Sequence, residues 1–181
     1  MISVADLLVD DRLPSNYFAS DVYVQGTLEL GLLENRRGDR LLALPDALMK
    51  AIVSGLNKET GQATKYVLKN CGLWWGKNFY ARFCEELSEY YKKGVADLPM
   101  VEFVQALQEC WRTHGWGRIS LNTEYQLQGF LVIEVKNSPF TAHQIQSEQP
   151  SGALEGGVLQ AFFSQLTGRD LSCLQTSCES L

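Results

Sequence analysis

The sequence predicts an α+β fold in which a small antiparallel sheet packs with a set of helices. Apolar residues recur at helical spacing in several segments, one of them far longer than the rest. Shorter apolar segments, some of them alternating, lie between turn-forming Gly, Pro and Asn residues, as antiparallel strands do. The chain has 181 residues, which is enough to bury a core without disulfide or metal support.

The start of the chain predicts an arm that precedes a single domain. Residues 1–25 mix apolar and acidic positions around Pro14, a pattern that fits a short helix or an arm. They lack a basic region ahead of a long apolar run, so they do not predict a signal peptide. We therefore expect one domain over residues 26–181.

The domain begins with a predicted β-hairpin. Two apolar runs, residues 26–34 and 40–44, flank a Gly-containing segment at residues 35–39, where we expect the turn. Pro45 then suits the first turn of a helix. This helix is expected over residues 47–56, with its apolar side chains on one side.

The strongest helical signal covers residues 62–93. Its apolar stripe recurs every four residues, at Val67, Cys71, Trp75, Phe79, Phe83 and Leu87. Gly72 and Gly76 lie one turn apart within it, although glycine costs roughly 1 kcal/mol relative to alanine in a helix interior. The two glycines predict the close approach of another helix or of a ligand, and helix packing is the commoner reason.

The rest of the chain continues the mixture of helices and strands. In order, we expect a helix over 97–114, antiparallel strands over 118–122 and 130–135, an exposed polar loop over 141–150, a helix over 152–167 and a closing strand over 170–176. Gly168 is placed as the cap that ends the last helix.

Charge and cysteine content exclude several classes of partner. The net charge is −5, without the basic stripe that binds nucleic-acid phosphates. No segment approaches the ~20 apolar residues of a membrane span. The five cysteines are an odd number, and Cys71, Cys84 and Cys110 lie on helical faces that we expect to be buried. Reduced thiols of this kind indicate a cytoplasmic protein.

No catalytic constellation is recognisable. Nucleophilic catalysis needs a nucleophile, a base and a group that orients the base. The only histidines are His114, at a helix end where the helix dipole favours a cation, and His143, in a Gln-rich loop. The glycines at 152, 156 and 157 lack the P-loop Lys and the dinucleotide-binding pattern. The sequence favours a binding protein over a self-sufficient enzyme.

Aromatic residues supply the best candidate for a binding site. Trp74 and Trp75 are neighbours and point about 100° apart on a helix, so one of them should line a pocket, an interface or the surface. Apolar pockets with a few polar groups are typical of ligand sites. The candidate ligand-binding residues are Trp74, Trp75, Asn78, Phe79, Tyr80, Arg82, Phe83, Phe103, Trp111 and Phe162.

Several strings, taken in their order, resemble the 4-vinyl reductase domain family. They are Cys71–Lys77, Gly115–Leu121, the strand that ends at Val135–Pro139, Gly152–Gly168, and the closing strand that leads to Cys178. The resemblance covers residues 26–181. It implies a fold shared with TRAPP-type transport subunits and haem nitric oxide sensor domains, in which the helices frame an apolar pocket.

The resemblance also bears on metal binding. Metal-binding members have a Glu three residues before the first Cys of the closing motif, whereas this chain has Gln175 there and only Cys178 matches the motif. The second motif Cys would fall beyond Leu181, which leaves open whether the closing strand is truncated. Because a structural zinc site needs four ligands, we expect no metal.

Three functions follow from the residues and the resemblance together. The first is a non-catalytic domain that binds a hydrophobic ligand such as a tetrapyrrole or bilin, because related domains serve reduction of a chlorophyll precursor, sensing of aromatic compounds and, in cyanobacteria, photosystem II assembly. The second is an interaction module that forms a homodimer or docks on a larger assembly. The third is a subunit of a vinyl reductase that needs a partner. The expected location is the cytoplasm, with peripheral attachment to the thylakoid membrane as the alternative.

Overall fold

A computed structural model describes residues 16–122, 124–141 and 152–176, and it has the predicted α+β fold. Its helices are α1 (Ser20–Tyr23), α2 (Asp46–Thr60), α3 (Thr64–Tyr91), α4 (Met100–Thr113) and α5 (Ala153–Thr167). Its strands are β1 (Val24–Thr27), β2 (Leu32–Asn35), β3 (Arg118–Asn122) and β4 (Val132–Lys136). Two antiparallel pairs, β1–β2 and β3–β4, take the place of the single predicted sheet. Residues 1–15 of the predicted arm and most of the predicted 141–150 loop lie outside the described residues.

The chain divides into two compact units. The sheet unit, Met1–Ala43 with Lys93–Ser138, contains α1, α4 and all four strands. The helix unit, Leu44–Lys92 with Pro139–Leu181, contains α2, α3 and α5. Among the residues that can be described, no helix is long and apolar enough to cross a membrane.

The first hairpin reverses at a different place from the one predicted. β1 pairs with β2 from Val24↔Asn35 to Thr27↔Leu32, so the chain reverses over residues 28–31 instead of 35–39. Gly31, at φ 61°, supplies the left-handed conformation that this turn requires. The prediction of one strand over 26–34 was wrong because the apolar residues on both sides of Gly31 read as one run.

The predicted turn at 35–39 also exists, after β2. The side-chain oxygen of Asn35 accepts hydrogen bonds from the backbone N–H groups of Arg37 and Asp39, both at 2.9 Å. The Leu41 N–H then donates to the Leu33 carbonyl, and a single bridge joins Glu34 to Arg40. The predicted second strand, residues 40–44, is thereby reduced to one bridge beside β2.

The core of the sheet unit lies along α4. This helix confirms the prediction over residues 97–114, and Phe103, Leu107 and Trp111 are buried on it. The segment before α1 docks on the same helix, where the Thr113 hydroxyl donates to the Phe18 carbonyl at 2.7 Å. The predicted β3–β4 pair is also confirmed, with Arg118 opposite Lys136 and Asn122 opposite Val132.

The half-buried His114 follows α4 as its C-terminal cap. Its Nδ1 donates to the Cys110 carbonyl at 2.8 Å, and its ring lies 4.5 Å from the Trp116 ring, centroid to centroid. Burial lowers the pKa of His114 from its ordinary 6.5, although the bond to Cys110 opposes that shift. Burial therefore acts against the protonated form of His114, which the dipole of α4 favours.

We expect acid to destabilise the sheet unit through His114. Unfolded His114 takes up a proton near pH 6.5, whereas folded His114 stays neutral to a lower pH, so the free energy of unfolding should fall as pH drops below 6.5. Urea unfolding measured across this range should show that slope. In His114→Gln, the part of this pH dependence that comes from His114 should be absent. If the free energy of unfolding of the variant depended on pH as steeply as that of the wild type, the attribution to His114 would be contradicted.

The helix unit is built on the contact between α3 and α5. Gly72 and Gly76 on α3 face α5, where a Cβ added to Gly76 would lie 2.5 Å from the Val158 carbonyl oxygen and 2.9 Å from the Ala161 Cβ. A Cβ added to Gly72 would lie 3.0 Å from the Gly157 Cα. The close approach predicted from the two glycines is therefore the approach of another helix.

The three cysteines that were predicted to be buried differ in their exposure. Cys110 is buried and Cys84 is half-buried, but Cys71 is exposed, so its predicted burial was wrong. The buried face of α3 includes Leu68, Gly72 and Gly76, spaced four residues apart. Cys71 is one residue before Gly72, so its side chain projects about 100° away from this face. Apolar periodicity missed this because the glycines that mark the buried face have no apolar side chain.

The segment after α5 is not the predicted closing strand. Gly168 ends α5 at φ 63°, as expected, but residues 170–176 have no strand pairing. Instead, the segment is tied to α5 and its N-terminus by three hydrogen bonds: Leu171 N–H to the Ser164 hydroxyl, Cys173 N–H to the Gln160 amide oxygen, and Gly152 N–H to the Gln175 amide oxygen. The segment is therefore held along α5 by hydrogen bonds and does not pair with a strand.

Candidate functional site

An aromatic cluster of the helix unit centres on Phe162 of α5. Its side chain is 1% exposed, and ring centroids of three α3 residues lie close to its own: Phe79 at 5.3 Å, Tyr80 at 5.2 Å and Phe83 at 5.5 Å. Phe163 also contacts it, at 5.5 Å. We call these five residues the α3–α5 cluster. It unites four of the ten residues predicted for ligand binding.

The outer part of this cluster is accessible. Phe79 and Tyr80 are half-buried, whereas Phe83 and Phe162 are buried. One turn before Phe79, the half-buried Trp75 meets the ring of Phe140 edge-on, at 5.8 Å between centroids. Phe140 was not among the predicted residues, because it follows Pro139, where we expected only the end of the second strand.

Three other predicted residues lie on the outer surface of α3. Trp74 is 73% exposed, so of the two adjacent tryptophans it is the one directed to solvent. Asn78 is also exposed, and its amide donates to the Trp74 backbone carbonyl at 3.1 Å. Arg82 is exposed on the same helix. These side chains do not join the α3–α5 cluster.

The last two predicted residues belong to the sheet unit. Phe103 and Trp111 are buried core residues of α4, at 3% and 1% exposure. Trp111 meets the ring of Trp116 edge-on, with 5.2 Å between centroids. Phe103 and Trp111 were predicted because they are aromatic residues on a helix. That criterion does not show whether a residue belongs to the core of the sheet unit or to that of the helix unit.

Tyr80 of the cluster and Cys84, one turn further along α3, supply two neutral polar groups. Burial, followed by the hydrogen bond with Cys84 and that residue's charge, raises the pKa of Tyr80 to about 12. Burial also raises the pKa of the Cys84 thiol, and the hydrogen bond from Tyr80 only partly offsets this. A thiol with a raised pKa is a poor nucleophile near neutral pH. The pair can therefore exchange hydrogen bonds with a bound molecule, but it is not arranged for covalent catalysis.

The closing motif contributes structure at the N-terminus of α5. Gln175 stands where metal-binding members of the resembled family have Glu, and its amide oxygen accepts the Gly152 N–H at 2.6 Å. Burial raises the pKa of the nearby Cys173 thiol, a shift that Lys69 opposes and Glu155 reinforces. Across the described ranges, no group of three His, Cys, Asp or Glu residues could hold a metal. Cys178 lies outside those ranges, so the absence of a metal stays a prediction.

The V4R domain model matches residues 131–181 of the chain, which confirms the predicted resemblance over that part. The match includes β4, α5 with Phe162, and the closing segment. V4R domains are small-molecule-binding domains. No curated protein matches the chain.

Proposed function

From the V4R match over residues 131–181, we propose that this protein binds a flat hydrophobic molecule, such as a tetrapyrrole or bilin, without transforming it. The ligand site consists of Trp75 and of Phe79 and Tyr80, which form the accessible edge of the α3–α5 cluster. The protein would then carry or present its ligand, for instance during pigment or photosystem assembly.

The observation that carries this proposal is a half-buried aromatic edge in front of a buried aromatic core. Trp75 and Phe79 lie one turn apart on the same side of α3, so a flat ligand can contact the faces or edges of both rings. Phe83 and Phe162 are buried and in ring contact with each other, so they support the side of α3 that carries Trp75 and Phe79. Tyr80 adds a neutral hydroxyl, which suits the polar groups that orient a ligand in an apolar site.

Titration with protoporphyrin IX and with biliverdin tests the proposal. We expect an absorbance shift of the pigment and quenching of tryptophan fluorescence on binding. Trp75→Ala should weaken binding about tenfold, because it removes an aromatic contact of roughly 1 kcal/mol together with buried area. Trp74→Ala is the matched control and should leave the affinity unchanged, since Trp74 faces solvent. Absence of any spectral change with both pigments would refute the proposal.

Assembly through protein contacts is the second candidate, and a different surface favours it. The hairpin between β3 and β4 exposes Tyr125, Leu127 and Phe130, three large side chains within six residues. Light scattering on the same titration samples separates the two functions: a stable homodimer that takes up neither pigment would favour the interaction module. Activity as a reductase subunit would require a partner and a cofactor, which the cluster alone does not supply.

A further inference from the structure

The outer face of α3 carries an exposed pair of interfacial aromatic residues. Tyr66 is 75% exposed and Trp74 is 73% exposed, and they lie on the same side of the helix about two turns apart. Trp74 projects about 180° away from Phe83, so this face is opposite the α3–α5 cluster. Large exposed aromatic side chains on one surface often mark a binding surface.

The charge around these side chains is basic, although the whole chain is acidic. From Leu44 to Arg82 the only acids are Asp46 and Glu59, and the basic residues are Lys50, Lys58, Lys65, Lys69, Lys77 and Arg82. The chain as a whole has a net charge of −5. With six basic and two acidic residues, residues 44–82 have a net charge of +4, which complements an anionic surface, whereas the acids of α3, Glu85, Glu86 and Glu89, lie in its last turns.

One contact on α3 and the exposed residues of α2 show how charge and apolar surface are combined. The Lys77 ammonium lies 6.0 Å from the centre of the Trp74 ring, at the limit of a cation–π contact. The preceding helix of the same unit, α2, has no buried residue and exposes Leu48 and Ile52. Trp and Tyr prefer the boundary between lipid and water, and Lys keeps its charge at the headgroups while its stem contacts apolar atoms.

We propose that the outer face of α3, at Tyr66, Trp74 and Lys77, docks on the surface of an anionic lipid bilayer. The side chains on this face favour lipid over an acidic protein. They project from a single convex helix, and a lipid headgroup layer accepts projecting Trp and Tyr rings without a shaped complementary groove. The attraction comes from the basic segment and acts on anionic headgroups, worth about 1 kcal/mol for each Lys near the membrane surface. This binding is independent of the proposed pigment site.

Co-sedimentation of the full chain with vesicles tests the docking face. One set of vesicles contains phosphatidylcholine alone, and the other contains phosphatidylcholine with phosphatidylglycerol. We expect binding to the second set only, with loss of binding at high salt because screening weakens surface charge interactions. Lys77→Glu should lower the partition coefficient at least about fivefold, the factor that corresponds to one lost Lys. Lys136→Glu makes the same change in charge on β4 of the sheet unit and should have a much smaller effect.

Trp74 gives a second measurement that does not depend on charge. Brominated lipids should quench tryptophan fluorescence in the wild-type protein, and Trp74→Phe should remove most of that quenching. Equal binding to both kinds of vesicle, or binding that Lys77→Glu leaves unchanged, would overturn the proposal. Salt-sensitive binding to a polyglutamate peptide without vesicle binding would also overturn it, in favour of an acidic protein partner. Because these side chains are exposed, circular dichroism of each variant should match the wild type.

Discussion

Gly157→Ala should lower the free energy of unfolding by about 3 kcal/mol, since it forces a side chain into a contact that has no room for one. An added Cβ at residue 157 would lie 3.0 Å from both the Gly72 Cα and the Leu73 backbone nitrogen, and it would overlap the Lys69 carbonyl oxygen. These are backbone atoms, so the overlap can be relieved only if α3 and α5 move apart. Urea unfolding followed by circular dichroism measures the change.

Gly156→Ala is the matched control because it makes the same substitution one residue earlier in the same helix. An added Cβ there has the Cys173 sulfur as its nearest neighbour, at 3.7 Å, which is an ordinary contact. Alanine also favours a helix interior over glycine, so this variant should be up to about 1 kcal/mol more stable than the wild type. Similar losses in the two variants would contradict the prediction, because they would show that the loss does not come from the contact between the helices.

Phe162→Ala should have the second large effect, a loss of about 4 kcal/mol in the free energy of unfolding. The phenyl ring is 1% exposed and touches aromatic rings from two turns of α3, so its removal leaves a cavity among rigid side chains. The same loss should weaken the support behind Trp75 and Phe79, and pigment affinity should fall with it.

Phe130→Ala is the matched control, because it makes the same substitution at an exposed position. Phe130 is 66% exposed in the sheet unit, so the same truncation there should change the free energy of unfolding by no more than about 0.5 kcal/mol. Thermal or urea unfolding of the two variants under one condition provides the comparison. If Phe162→Ala cost no more than Phe130→Ala, the α3–α5 cluster would not be the core of the helix unit.

Most helices could be predicted from the sequence, because their apolar periodicity is local. α3 is the clearest case, since its pattern extends over many turns and its glycines indicated the close approach of another helix or a ligand, which is α5 in the structure. The first hairpin was misplaced because residues on both sides of Gly31 share apolar character, and only tertiary structure decides which residue turns. The closing segment was wrongly predicted to be a strand, because its pattern of apolar residues does not show whether the segment pairs with another strand or packs against the side chains of a helix.

The candidate site was only partly predictable for a related reason. Helical spacing put Trp75, Phe79 and Phe83 on one side of α3, and it put Phe162 on the apolar stripe of α5. Spacing within an element says nothing about which elements meet, so Phe140 was missed, and Phe103 and Trp111 were grouped with residues of the other unit. The exposure of Trp74 could be expected for one of the two tryptophans, but the sequence did not say which.

The meeting of α3 and α5 through glycines has a consequence for how this protein can diversify. Gly72, Gly76 and Gly157 hold the two helices together backbone against backbone, so their alignment does not depend on the size of any side chain at the crossing point. Phe79 and Tyr80, one turn beyond Gly76, are half-buried and take no part in that close backbone contact. Substitutions among them can reshape the accessible edge while the helices keep their alignment, which allows selectivity for different molecules to evolve on one unchanged frame.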